Sequence, residues 1–389
     1  MSSITKSRIL GIDALRGIAA FLVLLFHVFG SGTLYALDRW RPDAVVQNIA
    51  QIVPAYGYCG VYLFFVISGF CIHLRWAKVF ANDPTSHLDV GFLQFWKRRW
   101  IRLYPAYMAA IILYLVWLQY NGRLSVDGFF AWDMISHVLM IHNLDGRTVF
   151  SMNGVFWTLA IEEQLYLLYF ILLMLRKRFG WAITLSICIS MRFVWLVISF
   201  AVTRYGGFEL PFNEGSLANW WIWAMGAYAV ESYFGIKRLP EWCYSLSLSG
   251  LFLLLAAMAH FAMQAYPAVK AATWTAMAFE PLLWGAGFFF LINRATRRDK
   301  AAATVGWRHF VVAKWAFIGI FSYSLYLVHE VVIGVMNGRN AWLVTAVSLV
   351  FAYLFFLIFE RPFMLYLARD KDRHSQLSRF GQEVAPDGA

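Results

Sequence analysis

The chain has 389 residues, of which 61% are hydrophobic, 19% aromatic and only 14% charged, with a formal net charge of +11. A soluble globular domain is about one-quarter charged and about half apolar, so this composition, with a mean hydropathy of +0.59, excludes the soluble and disordered classes and indicates an all-α, polytopic membrane protein. The positive balance then belongs to loops, and no nucleic-acid partner is needed to explain it.

Runs of about 20 apolar residues, the length that crosses a hydrocarbon core, predict about ten transmembrane helices: 9–30, 57–76, 103–119, 155–175, 181–203, 216–234, 244–265, 272–293, 314–336 and 341–366. No small-residue cleavage site follows the first run, so it reads as a retained span. Within it, "LRGIAAFLVLLFHVFG" places Arg16 and His27 eleven residues apart. That spacing is about three turns, which puts both on one helix face roughly 16 Å apart along the axis. An arginine in a span costs at least about 2.5 kcal/mol, so it faces a polar cavity or a partner. Asp13, one turn earlier, is the plain partner, and a place at the interface is the plain reading of His27.

The stretch "FWKRRWIRLYP" before the third span brings Arg98, Arg99 and Arg102 beside Trp96, Trp100 and Tyr104. Such charge is ordinary on the inner side of a membrane, yet planar guanidinium groups three residues apart also suit phosphates. Residues 129–142 are apolar but too short and polar to span, which suggests an interfacial or re-entrant segment. The fourth span, "GVFWTLAIEEQLYLLYF", holds Glu162 and Glu163. About 100° separates neighbours on a helix, so one carboxylate can face a cavity while the other pairs elsewhere. The ninth span, "FSYSLYLVHEVV", carries Tyr323, Tyr326, His329 and Glu330, with Tyr326 and His329 on one face. Arg192 and Glu280 are further intramembrane charges, expected to pair helix to helix.

With the N-terminus inside, the inner segments hold 22 Lys and Arg and the outer ones 7, the other four lying within spans. That bias makes both termini cytoplasmic. One transmembrane domain, 1–368, is followed by a polar cytoplasmic tail, 369–389, and no internal repeat is visible. Two outer loops, 31–56 and 120–154, are long enough for a lid or an acceptor site. The four cysteines lack metal-ligand spacing and read as small buried hydrophobes. In this orientation His27, Glu162 or Glu163, and His329 share the external third, where an imidazole can act as a base oriented by a carboxylate. Arg98, Arg99, Arg102 and Arg16 trace a cationic path from the cytoplasmic mouth inward.

These residues carry a resemblance. "GIDALRGIAAFLVLLFHV", "GVYLFFVISGF", "RRWIRLYP", "WTLAIEEQLY", "FSYSLYLVHE" and "ERPF", in this order from residue 9 to 363, resemble the motifs of the acyltransferase type 3 family of integral-membrane O-acyltransferases. The resemblance implies ten spans in the inner (plasma) membrane and an acyl-CoA donor, usually acetyl-CoA, as co-substrate. It implies no permanently bound cofactor and no metal. The acceptor it implies is a hydroxyl of a cell-surface or lipid-linked glycan. Residue by residue, it makes His27 the essential histidine, Arg16 its basic partner, and Arg99 and Arg102 the loop arginines. Glu162 becomes the family glutamate, with Glu163 less clearly matched, and Tyr323, Tyr326 and His329 the late motif. Glu330 departs from the pattern, which often has an aromatic residue there, and no esterase-like module is expected after the membrane domain.

The expected scheme has Arg98, Arg99 and Arg102 holding the donor phosphates, Arg16 lining the pantetheine path, and His27 as general base on the acceptor hydroxyl. Glu162 orients the histidine, and Tyr326 or Trp157 helps with the oxyanion. The alternative is a secondary transporter, which also places ionisable residues at depth but near the midplane of repeated halves. Acceptor identity, acyl-chain length and oligomeric state are left open by the sequence.

Overall fold

A computed structural model describes residues 9–29, 52–85, 91–265, 267–301 and 307–370. The expected outer loop 31–56 and the tail 369–389 therefore lie largely outside the described residues. Among the described residues the chain is helical and contains no strand. The helices are α1 (Leu10–Phe29), α2 (Gly60–Asn82), α3 (Phe92–Tyr120), α4 (Gly128–Val138), α5 (Trp157–Tyr205) and α6 (Ser216–Tyr233). They continue as α7 (Leu246–Ala265), α8 (Lys270–Ala301), α9 (Trp307–Ile320), α10 (Ser322–Val335) and α11 (Ala341–Phe355), which runs through a π turn, Phe356–Glu360, into a last helical segment.

Among the described residues, seven helices are long and apolar enough to cross a membrane, or eight if α9 and α10, bent by 67° at their junction, form one span. Two local features separate this count from the expected ten. Helix α5 is 49 residues long and covers two expected spans; the chain turns within it at Gly180, whose φ of 75° only glycine adopts freely. Helix α6 is 18 residues long, rich in Trp and Tyr, and is not apolar enough to count. At 11 residues, α4 is far too short to cross. It starts on Asp127, whose side chain accepts from the amides of Phe129 and Phe130.

Helices in lipid gain little from apolar contact alone, so small residues and polar bonds must join them. Helices α2 and α6 approach through Gly69 and Gly226; a Cβ on either would overlap a backbone carbonyl of the other helix, Trp223 O or Val66 O. Polar bonds add staples. His73 sits between the Tyr169 hydroxyl and Glu231, at 3.1 Å from each. Arg176 grips Glu231 with two bonds of 2.7 and 2.9 Å, and Trp181 adds a third donor at 2.8 Å. Arg192, fully buried, does not pair with an acid. It donates to the carbonyls of Ala278, Ala218 and Met277 and to Asn213. Glu280 instead accepts from Tyr58 and Trp284.

Beyond α4, the segment to residue 156 folds back against the bundle. The His137 and His142 rings stack 3.9 Å apart at 5°. Burial, and then the neighbouring His137, push His142 down to about 3. For Asp145 burial works upward, but bonds from Arg147 and Trp132 outweigh it and hold the carboxyl below its ordinary value.

Candidate active site

Helix α1 is the axis of the site and packs on α2, α9 and α10. Near its start, Arg16 donates to Asp13 at 3.1 Å and to the Cys71 thiol of α2 at 3.2 Å. The plain ion pair with Asp13 is thus present, and the second guanidinium nitrogen turns into a cavity. That cavity, of about 420 Å³, is lined by Arg16, Cys71, Arg99, Arg102, Glu162, Tyr323 and Tyr326, among others. An adjoining cavity of about 250 Å³ shares Cys71, Arg99 and Arg102 and adds Arg75 and Arg98. All four expected arginines therefore line one or both of two adjoining cavities.

Their partners matter. Arg99 lies over the rings of Phe95 and Tyr166, 5.7 Å from each centroid, which holds it without neutralising it. Arg102 keeps a buried Nε with no hydrogen-bond partner. A buried donor left unmade costs about 1–3 kcal/mol, so this nitrogen suits an incoming acceptor. Glu360, of the "ERPF" motif, is 1% exposed, lines the same cavity and accepts from Ser324 at 2.7 Å. Sequence reasoning passed over Glu360, Cys71 and Arg75 as site residues, although an acid before "RPF" in an apolar run was a visible signal.

The other end of α1 holds a second arrangement. His27 Nδ1 lies 2.9 Å from Val23 O and 3.3 Å from His329 Nε2. His329 Nδ1 lies 2.9 Å from Leu325 O. If each Nδ1 donates to its carbonyl, His329 Nε2 is an acceptor and His27 Nε2 is free of the helix. That atom faces Glu330 Oε1 at 3.3 Å, with the two side chains 22% and 28% exposed. His27 thus offers opposite ring nitrogens to His329 and Glu330. The three form a chain of groups rather than ligands converging on one ion, although their polar atoms all lie within 4.8 Å.

The expected role of Glu162 is corrected here. Its carboxylate accepts from Tyr166 at 3.1 Å inside the arginine-lined cavity, not from the histidines. The reason is the depth at which α5 begins. The Tyr326 hydroxyl accepts from Thr158 at 2.7 Å and donates to Val155 O at 3.1 Å, so the first turn of α5 is already level with Tyr326. Glu162, one turn on, falls level with Arg16. The carboxylate that meets His27 is Glu330, the residue that departed from the motif. Glu163 points elsewhere and accepts from Trp96, and Trp157 packs against Phe150.

Tyr326 stands between the two arrangements. Its ring lines the cavity, packs on Phe64 at 5.8 Å and lies 6.0 Å from the His329 ring. His27 does not line the cavity. Tyr326 and His329 are three residues apart on α10, about one helical turn, and the Tyr326 and Phe64 rings stand on the cavity side of the pair.

Residues 9–361 match a family model described as an acyltransferase domain. The chain is 33% identical over 148 residues to the O-acetyltransferase OatA of Staphylococcus aureus, covering 35% of this chain and 24% of that protein. It is 28% identical over 170 residues to the putative peptidoglycan O-acetyltransferase YrhL of Bacillus subtilis, covering 41% and 23%. It is also 29% identical over 199 residues to the regulator of hypoxia-inducible factor 1 of Caenorhabditis elegans, covering 46% and 37%. The chain therefore spans well under half the length of these relatives. No solved structure matches.

Proposed function

Since this chain belongs to the acyltransferase domain family, we propose that it is a multi-pass O-acyltransferase of the inner (plasma) membrane. It moves an acyl group, acetyl by preference, from cytoplasmic acyl-CoA to a hydroxyl of a cell-surface or lipid-linked glycan. The observation that carries this reading is the pair of adjoining cavities beside α1, lined by five arginines (Arg16, Arg75, Arg98, Arg99 and Arg102), the larger also lined by Tyr326, whose ring lies 6.0 Å from that of His329. An anionic group on a long, slender arm fits that shape.

In this reading Arg98, Arg99 and Arg102 take the phosphates, and Arg16, held by Asp13, lines the arm's path. Arg and phosphate bond strongly in a bidentate geometry. The thioester passes the Tyr326–Phe64 ring pair to reach His27. His27 Nε2 removes the proton of the acceptor hydroxyl, and the resulting oxygen attacks the thioester carbon; the CoA thiolate leaves and takes up the proton. Glu330 stabilises the imidazolium, and His329, itself fixed by Leu325 O, holds the ring. A positioned base supplies about 10²- to 10⁴-fold, and alignment of the two substrates must supply much of the rest.

The test incubates membranes carrying the full chain with acetyl-labelled acetyl-CoA. Label should appear in a hydroxylamine-sensitive glycan fraction, and His27→Ala should abolish it while acetyl-CoA binding is retained. Label found only inside vesicles would favour a transporter, and an active His27→Ala variant would refute the scheme.

A further inference from the structure

A second cavity, of about 330 Å³, lies apart from the donor path and shares no lining residue with it. It sits between the end of α6, the connection up to Tyr244 that leads into α7, and the last turns of α8. Three cations, Lys237, Arg238 and Arg297, line it. Arg297 is occupied, bonded to Glu241 at 2.6 Å and stacked 4.6 Å over the Tyr244 ring. Lys237 and Arg238 are exposed and have no carboxylate partner among the described residues. The sum is a cavity with an excess of two positive charges.

A solvated basic loop would look similar on charge alone. Asn293 separates the two cases. It is 1% exposed, lines the same cavity, and its Nδ2 has no hydrogen-bond partner. A buried amide donor is expensive to leave unmade, so an unpartnered amide at the cavity wall, reached by a small side-chain shift, stands beside two exposed cations that line the same space. That combination recognises a phosphate: charge draws it in, and the amide fixes one oxygen. The neighbourhood is that of a membrane interface. Trp242 and Leu246, beside the cavity, are 57% and 46% exposed, as suits residues bathed in lipid at headgroup depth. The Gly11 amide of α1 bonds Asp299 of α8 at 2.6 Å, so this cavity opens on the face where α1 begins. That is the face with the excess of Lys and Arg.

We propose that this cavity binds the phosphate of an anionic phospholipid, with its acyl chains leaving along Leu246 and Trp242. The site is independent of the transfer reaction and stands whether or not that reading holds. Basic pockets between helices hold such headgroups in this manner, at about 1 kcal/mol per cation near the surface.

The experiment uses the purified full chain in phosphatidylcholine nanodiscs and titrates phosphatidylglycerol, reading bound lipid by native mass spectrometry and melting temperature. The wild type should retain phosphatidylglycerol over phosphatidylcholine and melt higher with it. Lys237→Ala with Arg238→Ala, both at the surface, should weaken that retention about 10- to 30-fold. Asn293→Asp keeps the size and replaces the amide donor with a charge that repels phosphate, so it should weaken it at least as much. The Lys237→Ala with Arg238→Ala variant should melt like the wild type in pure phosphatidylcholine. Soluble glycerol phosphate should compete poorly; equal competition would overturn the lipid as the phosphate's source. Retention unchanged in both variants, or equal retention of phosphatidylcholine, would overturn the site itself.

Discussion

At the scale of single residues, the question is which carboxylate serves His27. Glu330 faces its Nε2 at 3.3 Å, whereas Glu162 shares its cavity with Arg16 and Arg99. The two acids should therefore fail differently from each other and from the arginines. Glu330→Gln keeps the shape but cannot offset an imidazolium, so kcat should fall about 10- to 100-fold with donor KM nearly unchanged. Arg99→Ala with Arg102→Ala should do the reverse, raising donor KM about tenfold or more with a smaller loss of kcat, because in the proposed scheme they hold the donor phosphates and not the reacting atoms. Steady-state kinetics on the two variants, with acetyl-CoA varied, checks both. The sequence singled out His27, His329 and the arginines because ionisable groups in apolar runs are conspicuous. It could not place the carboxylates relative to His27, because the contact that sets α5 against α10 is long-range. What sets the depth is the bond from Thr158 to Tyr326, a contact between residues 168 positions apart.

At the scale of elements, hydropathy located the helices within a few residues, including the break between 175 and 181 and the helix over 216–234, but it does not say what makes the break or which helices lipid touches. Gly180 turns α5 on a single φ angle, and α6 is a buried helix rather than a lipid-facing one, with Trp223, Ala224, Ala227 and Val230 fully covered. The segment from α4 to residue 156 also escaped a clear reading, because it is held by side-chain chemistry rather than by pattern. Its stacked His137 and His142 give it a pH dependence with a definite sign. An unfolded His142 has its ordinary value of 6.5, while the folded one is held down to about 3 by burial and by His137. The folded segment therefore binds fewer protons in that interval. Its full stability is present above about pH 6.5 and is lost as pH falls toward 3, by up to about 1.4 kcal/mol per pH unit. Hydrogen exchange of residues 128–156 should accelerate as pH drops from 6.5 to 4, after correction for intrinsic rates, and His142→Asn should flatten the dependence. A profile as steep in the variant as in the wild type would assign the effect to other groups.

At the scale of the whole molecule, the two ends of α1 are proposed to meet different compartments, and the 22-to-7 charge bias says which. The natural cysteines allow this to be tested with little change to the protein. Cys59, Cys188 and Cys243 are buried, while Cys71 is partly exposed, lines the arginine cavities and lies 3.2 Å from Arg16. In sealed vesicles of known orientation, a small membrane-impermeant maleimide should modify Cys71 from the cytoplasmic side only, and CoA should slow the reaction by occupying the same space. In a Cys71→Ser background, His27→Cys should react from the opposite side, since its side chain is partly exposed and excluded from the cavity by the Tyr326 and Phe64 rings. Adding Tyr326→Ala removes the larger of those rings, and residue 27 should then become reachable from the cytoplasmic side as well. If both positions react from one side in the unaltered background, the two arrangements belong to a single compartment and no group crosses between them. If they react from opposite sides and the Tyr326 variant joins the routes, the barrier that an acyl group must pass is one aromatic ring deep.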